Sequence, residues 1–216
     1  MLRSFHLLRG GLAAAVVVIA LGMPGRALGQ TNLIVNPGFE TGDFTGWSDT
    51  GDSSYSGVGN DSALVIEGTT FSVFNGTYSV YLGTITSDNF LSQNITTTPG
   101  TEYVFSFELA SDGGNPNNFS AEIGNVGESS NVTVYSVTNA GRFGWTEFSG
   151  NYTATSSTTE VLFTSFQEPA YWGLDNVSVT AMPVPEPGTA AGLGGLAAAS
   201  AVVVARVRRK SRKTTA

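Results

Sequence analysis

From Thr101 to Ala110 the chain reads TEYVFSFELA, with Tyr103, Phe105, Phe107 and Leu109 at one parity and Val104, Ser106 and Glu108 at the other. Alternation sustained over that length puts the aromatic set on one face of a half-buried β-strand; a helix would scatter it. Asn89 to Thr96 groups Leu91, Gln93 and Ile95 in the same way, and Gly76 to Leu82 groups Tyr78, Val80 and Leu82. Further strands are predicted over Ala63–Glu67, Phe119–Ile123, Val132–Val137, Thr146–Ala154, Glu160–Phe166 and Leu174–Thr180. Turn residues separate them: Asn75-Gly76, Pro99-Gly100, Asp112-Gly113-Gly114-Asn115-Pro116 and Asn139-Ala140-Gly141. No stretch of the body keeps a 3.6 period beyond two turns. Nine or ten short strands at this spacing predict an all-β, two-sheet sandwich.

The two ends of the chain differ from this body. Near the C-terminus Val184, Pro185, Glu186 and Pro187 form a stiff segment that no helix can run through, because each proline fixes its own φ and extends the residue before it. Gly188 to Ala205 is 18 residues without a charge, and at ~1.5 Å each they cover about 27 Å of a ~30 Å hydrocarbon core. Arg206, Arg208, Arg209, Lys210, Arg212 and Lys213 follow at once, and such a cluster stays cytoplasmic, leaving the body outside. The order of motif, span and basic end resembles the PEP-CTERM sorting signal of Gram-negative bacteria that make extracellular polysaccharide. That resemblance implies recognition by an exosortase, a membrane-embedded cysteine protease or transpeptidase, and removal of the tail. An ordinary single-pass anchor on a proline-rich stalk is the other reading; under both, the protein is exported and held in a membrane at least transiently.

Arg3 and Arg9, the apolar run Gly11 to Leu21 and the small-residue site Ala27-Leu28-Gly29 have the layout of a secretory signal peptide. The expected organisation is therefore a signal peptide over 1–29, a sandwich domain over 30–182, a Pro-Glu-Pro linker over 183–187, a transmembrane helix over 188–205 and a basic cytoplasmic tail over 206–216. After processing, the body is expected at the cell surface or in the extracellular matrix.

The body carries sixteen Asp and Glu against a single basic residue, Arg142. Such a surface repels phosphate backbones and has no cations with which to release counterions, so nucleic acid is excluded as a partner. It contains no Cys, Lys or His. That rules out Ser-His-Asp and Cys-His nucleophiles, Schiff-base lysines and histidine-ligated zinc within the body. Paired carboxylates, as in glycosidases, survive this pruning.

Two stretches at opposite ends of the body, NLIVNPGFETGDFTGW (Asn32–Trp47) and YWGLDNVSV (Tyr171–Val179), carry a second likeness, continued by LSQNITTTPGTEYVFSFELA and FSGNYTATSSTTEVLFTS. Together they resemble the galactose-binding-like jelly rolls that include carbohydrate-binding modules of the family 4 and 9 type. The resemblance implies an antiparallel jelly-roll β-sandwich in which the N-terminal segment packs beside the last strand. It also implies a structural calcium where these ends meet, held by a glutamate of the first stretch and an aspartate of the last strand, positions matched here by Glu40 and Asp175. Read from the residues alone, Asp175 leads a row with Val177 and Val179, while Glu40 sits in a turn. The other reading has Glu40 solvated and Asp175 accepting backbone N–H bonds at a sheet edge.

Phe105, Phe107, Phe163 and Trp47 are assigned to the core. Tyr55, Tyr81 and Trp145 lie beside polar loops and are expected to be exposed, as candidates for stacking on sugar rings. The functional expectation is a sorted surface protein, not an enzyme, whose jelly roll mediates interaction in an exopolysaccharide or biofilm setting, with polysaccharide as the candidate partner. The alternatives are a carboxylate-dependent glycan hydrolase and a purely structural scaffold.

Overall fold

The computed structural model describes residues 30–127 and 131–183. The signal peptide, the motif Val184–Pro187, the predicted transmembrane helix and the basic tail lie outside the described residues. Among the described residues no helix is long and apolar enough to cross a membrane.

Among the described residues there are ten strands: β1 (Ser48–Gly51), β2 (Gly57–Gly59), β3 (Ser79–Leu82), β4 (Asn89–Thr96), β5 (Glu102–Ser111), β6 (Asn117–Gly124), β7 (Val132–Thr138), β8 (Phe143–Thr153), β9 (Thr158–Gln167) and β10 (Trp172–Ala181). They form two five-stranded sheets, ordered β1-β4-β9-β6-β7 and β2-β3-β10-β5-β8. The pairings are antiparallel. This is a β-sandwich consistent with a jelly roll.

The alternation in β5 does what its period requires: Tyr103, Phe105, Phe107 and Leu109 are buried between the sheets. Phe163 of β9 meets Phe107 edge-to-face at 5.2 Å, and Phe119 of β6 meets Trp172 of β10 at 5.3 Å, so aromatic contacts cross the gap between the sheets. Each such ring contributes on the order of 2 kcal/mol by burial. Trp47 is buried too, stacked on Phe39 at 5.4 Å with its indole N–H donating to Asn36 O at 3.3 Å.

The N-terminal segment lies along β10. Leu33 N–H donates to Val179 O at 2.9 Å, and the Asn32 side chain both donates to Val177 O at 3.0 Å and accepts from Val179 N–H at 2.9 Å.

Two predicted strands are corrected. Ala63–Glu67 belongs to a helix, α1 (Asp61–Glu67). Its β-branched residues favour a strand, but Asn60 caps the first turn through Oδ1, which accepts Ala63 N–H at 3.1 Å, and Gly68 follows the last turn at φ +80°. The strand predicted from Gly76 begins only at Ser79, because the N–H groups of Thr77 and Tyr78 are turned onto Glu40. The short β1 and β2, SDTG and GVG, carry no apolar alternation and were outside the prediction. Gly57 in β2 is required by packing, since a Cβ there would stand 2.5 Å from the Tyr81 hydroxyl.

Candidate functional site

The loop after Asn32 is built to present Glu40. Asn36 adopts φ 52° and ties the loop by its own side chain, donating to Thr41 Oγ1 at 2.8 Å and to Asp43 O at 3.1 Å. Phe39 also takes a left-handed φ of 56°, costly for an aromatic residue and held by complete burial of its ring. Glu40, next in sequence, accepts Thr77 N–H at 3.1 and 3.0 Å and Tyr78 N–H at 3.4 Å. Gly76 makes this approach possible, because a Cβ there would collide with the Glu40 carboxylate.

Asp175 reaches the same place from β10. Its Oδ2 accepts Ser79 Oγ–H at 2.8 Å and Asn75 N–H at 3.4 Å, and its Oδ1 accepts Asn176 N–H at 2.6 Å. A Cβ on Gly38 would lie 3.5 Å from Asp175 Oδ1 and 4.0 Å from Glu40 Oε1, so both carboxylates close on one glycine. Burial pushes the Asp175 carboxyl up to about 6 against the pull of its hydrogen bonds, and the charge of Glu40 adds to the rise. Two converging carboxylates with oxygen-only chemistry fit a hard cation. Among the described residues no third Asp, Glu, His or Cys joins them, so most of a six- to eight-oxygen calcium shell would come from carbonyls. Backbone N–H groups also bond both carboxylates, which the alternative reading expects of Asp175 alone; Glu40, which that reading leaves solvated, is exposed. The strand bearing Asp175 is nonetheless interior to its sheet, between β3 and β5, and not at an edge.

The predicted row Asp175, Val177, Val179 is broken by a bulge. Leu174 pairs with Leu109 and Asp175 with Glu108, then the register shifts so that Ser178 pairs with Ser106 and Val179 with Phe105. Asn176 and Val177 together oppose Phe107, with Asn176 at φ 51°. The extra residue keeps Leu174, Val177 and Val179 on the core side and turns Asp175 to the outer face with Glu108. Glu108 in turn faces Glu147 of β8. Burial, then the charge of Glu147, raises the Glu108 carboxyl above the usual range.

The three candidate aromatics do not form one platform. Tyr55, in the β1–β2 loop, is exposed (46%). Tyr81 and Trp145 are half-buried, contrary to expectation. Tyr81 lies over Gly57 and meets Tyr171 edge-on at 5.7 Å. Trp145 is committed to the segment between α1 and β3: its indole N–H donates to Ser72 O at 2.9 Å, and its ring meets Phe71 at 5.5 Å and Phe74 at 5.6 Å.

Tyr55 instead borders a cavity of about 230 Å³ at one end of the sandwich, lined by the β3–β4 turn (Gly83, Thr84, Ile85) and the β9–β10 turn (Gln167 to Tyr171). Gly83 lets the backbone pass under a ring: a Cβ there would stand 2.6 Å from Tyr171. Of these residues the sequence singled out Tyr55 as a binding candidate, and Tyr171 opens the second of the two motif stretches; Gly83, Thr84, Gln167 and Glu168 carried no readable signal, since three separate connections must meet to make the wall.

Residues 31–170 match the family model described as a carbohydrate binding domain, of the CBM 4/9 type. The carbohydrate-binding module TmCBM61, solved in complex with β-1,4-galactotriose, shares 18% identity over 70% of this chain and 99% of its own, with a TM-score of 0.56. The enzymatically active domain of tailspike protein 4 from bacteriophage CBA120 shares 15% identity over 70% of this chain and 21% of its own, with a TM-score of 0.50. At these identities the likeness is one of fold. No curated protein matches the chain. A family model spanning more than half the chain, on a sandwich of this topology, places the protein: it belongs to the carbohydrate binding domain family of the CBM 4/9 type.

Proposed function

We propose that this protein is an exported surface or extracellular-matrix protein whose sandwich binds carbohydrate without cleaving it, in an exopolysaccharide or biofilm layer. The observation that carries the binding role is the cavity walled by Tyr55 and Tyr171 in a domain of a carbohydrate-binding family. Aromatic rings next to hydroxyl and carboxylate acceptors suit sugars, whose C–H faces stack while their hydroxyls hydrogen-bond. The export role rests on the sequence: Val184–Pro187, the uncharged run and the basic end support sorting by an exosortase through a transient membrane anchor. Calcium is proposed as a structural ion held by Glu40 and Asp175, supported by their convergence at Gly38.

The binding role is tested by passing the full chain over insoluble neutral polysaccharides with and without calcium. Retention that a soluble oligosaccharide of the same sugar reverses is expected; passage through every polymer leaves only the scaffold role. The export role is tested by cell fractionation, where an intact chain found in the cytosol with both ends attached would remove it.

Glycan hydrolysis remains a second reading because Glu108 and Glu147 stand directly opposite on β5 and β8. Burial and the charge of Glu147 raise the Glu108 carboxyl, and a facing pair of carboxyl groups is what glycosidases use as acid and base. Release of new reducing ends from a polysaccharide, lost in both Glu108→Gln and Glu147→Gln, would establish it. No release from substrates that the protein retains would dismiss it.

A further inference from the structure

Asn75-Gly76 is the one Asn-Gly pair in the chain. Both residues are exposed, in the turn that leads into β3. The turn hangs on the two carboxylates described above: Asn75 N–H donates to Asp175 Oδ2 at 3.4 Å, and Thr77 and Tyr78 N–H donate to Glu40. Between these anchors, among the described residues, the Gly76 N–H donates to nothing, and the Asn75 side-chain amide makes no hydrogen bond either.

We propose that Asn75 deamidates spontaneously in the folded protein, and that the product releases the turn from Glu40. The reaction needs water and no other reagent. The Gly76 nitrogen attacks Asn75 Cγ and a C–N bond forms; the side-chain nitrogen leaves as ammonia, taking the proton that Gly76 gives up. Water then opens the five-membered imide. Breaking its bond between nitrogen and Cγ leaves aspartate, and breaking its bond between nitrogen and the main-chain carbonyl carbon leaves isoaspartate. Asparagine and water become a carboxylic acid and ammonia, with nothing oxidised or reduced.

The attacking nitrogen singles this residue out. Glycine has no Cβ to crowd its own nitrogen. Asn36 and Asn115 precede prolines, which have no N–H, and most other asparagines precede a bulky apolar or aromatic residue. The competitors with small or polar successors are tied. Asn60 Oδ1 accepts Ala63 N–H at 3.1 Å, the Asn117 amide donates to Ala140 O at 2.9 Å, and Ala140 N–H, which would attack Asn139, donates to Asn117 Oδ1 at 2.8 Å. Asp112-Gly113, the one Asp-Gly pair, is open to the same ring closure but is held at both groups. Asp112 Oδ1 accepts Thr70 N–H at 2.8 Å, and Gly113 N–H donates to Ser111 Oγ at 3.1 Å.

The isoaspartate product acts on the fold. It routes the main chain through Cβ and Cγ, inserting a methylene between the N–H group on Asp175 and the N–H groups on Glu40. Gly76 has no room to absorb that length: it sits at φ +80° with the Glu40 carboxylate where a Cβ would stand. Either product also adds a negative charge to a turn already held by two carboxylates, where like charges repel.

The test is to age the purified full chain in chelator, at neutral and mildly alkaline pH, and to map its peptides by a fragmentation method that separates aspartate from isoaspartate. Conversion at Asn75 is expected to be about tenfold or more faster than at any other asparagine, a barrier lower by about 1.4 kcal/mol. The rate should rise with pH, as the Gly76 nitrogen gives up its proton more readily. Asn75→Gln, checked for folding by circular dichroism, should show no conversion at this position, because its ring would need six members. The isoaspartate fraction, enriched by ion exchange, should melt below the unreacted chain and exchange its Thr77 and Tyr78 amide hydrogens faster. Conversion at Asn75 no faster than elsewhere, or seen only in chain unfolded by urea, would overturn the site. An isoaspartate fraction that melts and exchanges like the unreacted chain would overturn the release from Glu40. Chelator is present throughout, so neither result depends on whether calcium binds Glu40 and Asp175.

Discussion

Ser79 Oγ donates to Asp175 Oδ2 at 2.8 Å, and both side chains are buried, on the outer side of the sheet that carries β3 and β10. The hydroxyl cannot offset the lost hydration of a carboxylate, which is why burial dominates and raises the Asp175 carboxyl to about 6. Between its ordinary value near 4 and that of the folded chain, the native state holds a proton that the unfolded state has released. Stability from this group is therefore complete below about pH 4 and declines as pH rises to about 6, by on the order of 3 kcal/mol.

Asp175→Asn, which mimics the protonated acid, should remove that decline. In chelator the mutant and wild-type melting temperatures should agree near pH 4 and separate, mutant higher, as pH rises to about 6, then run parallel. Melting curves in a pH series check this. A mutant less stable than wild type by the same amount at every pH would mean that the carboxylate is ionised throughout and well solvated.

Calcium should reverse the order. An ion bound by the native state alone stabilises by mass action, about 2.7 kcal/mol at a hundredfold excess over its dissociation constant. Wild type should gain melting temperature with calcium and lose it with chelator, while Glu40→Gln and Asp175→Asn should respond to neither. Persistent chelator sensitivity in both mutants would move the ion elsewhere.

What could be read from the sequence follows from how local its cause is. The alternation of Tyr103, Phe105, Phe107 and Leu109 is a property of consecutive residues, and β5 is found where it was expected. The meeting of the N-terminal segment with β10 was implied by the two motif stretches, and the Leu33–Val179 bond realises it. Helix α1 was missed because a cap at Asn60 outweighs the strand preference of Val65 and Ile66. The half-burial of Trp145 was missed because its cover, Phe71 and Phe74, comes from a distant connection. The cavity was missed for the same reason, being assembled from turns far apart in the chain.

Gly173 is where the cover over Trp145 is most sensitive. A Cβ at this position would stand 2.8 Å from the Phe71 ring and 2.9 Å from the Trp145 ring, both inside van der Waals contact. Gly173→Ala should cost roughly 1–3 kcal/mol, the range for overpacking. In a Trp145→Ala background the same substitution should cost clearly less, since one of the two rings is gone. A double-mutant cycle by urea unfolding measures that coupling; additivity within error would mean that the rings move aside freely.

Asn176 decides which way Asp175 faces. It is the residue at φ 51° in the bulge of β10, and the two residues Asn176 and Val177 occupy the place opposite Phe107 that a regular strand would fill with one. Without the extra residue, strict alternation would either bring Asp175 into the aromatic core with Val177 and Val179 or drive those valines out. A left-handed backbone is open to Gly and Asn but strained for a β-branched residue. Asn176→Gly should therefore leave the denaturation midpoint nearly unchanged, and Asn176→Val should lower stability by about 1–2 kcal/mol. Neither replacement has a polar side chain, so the difference between them isolates the backbone. If valine is tolerated as well as glycine, β10 does not hold this bulge in solution, and the placement of Asp175 beside Ser79 and Glu40 falls with it.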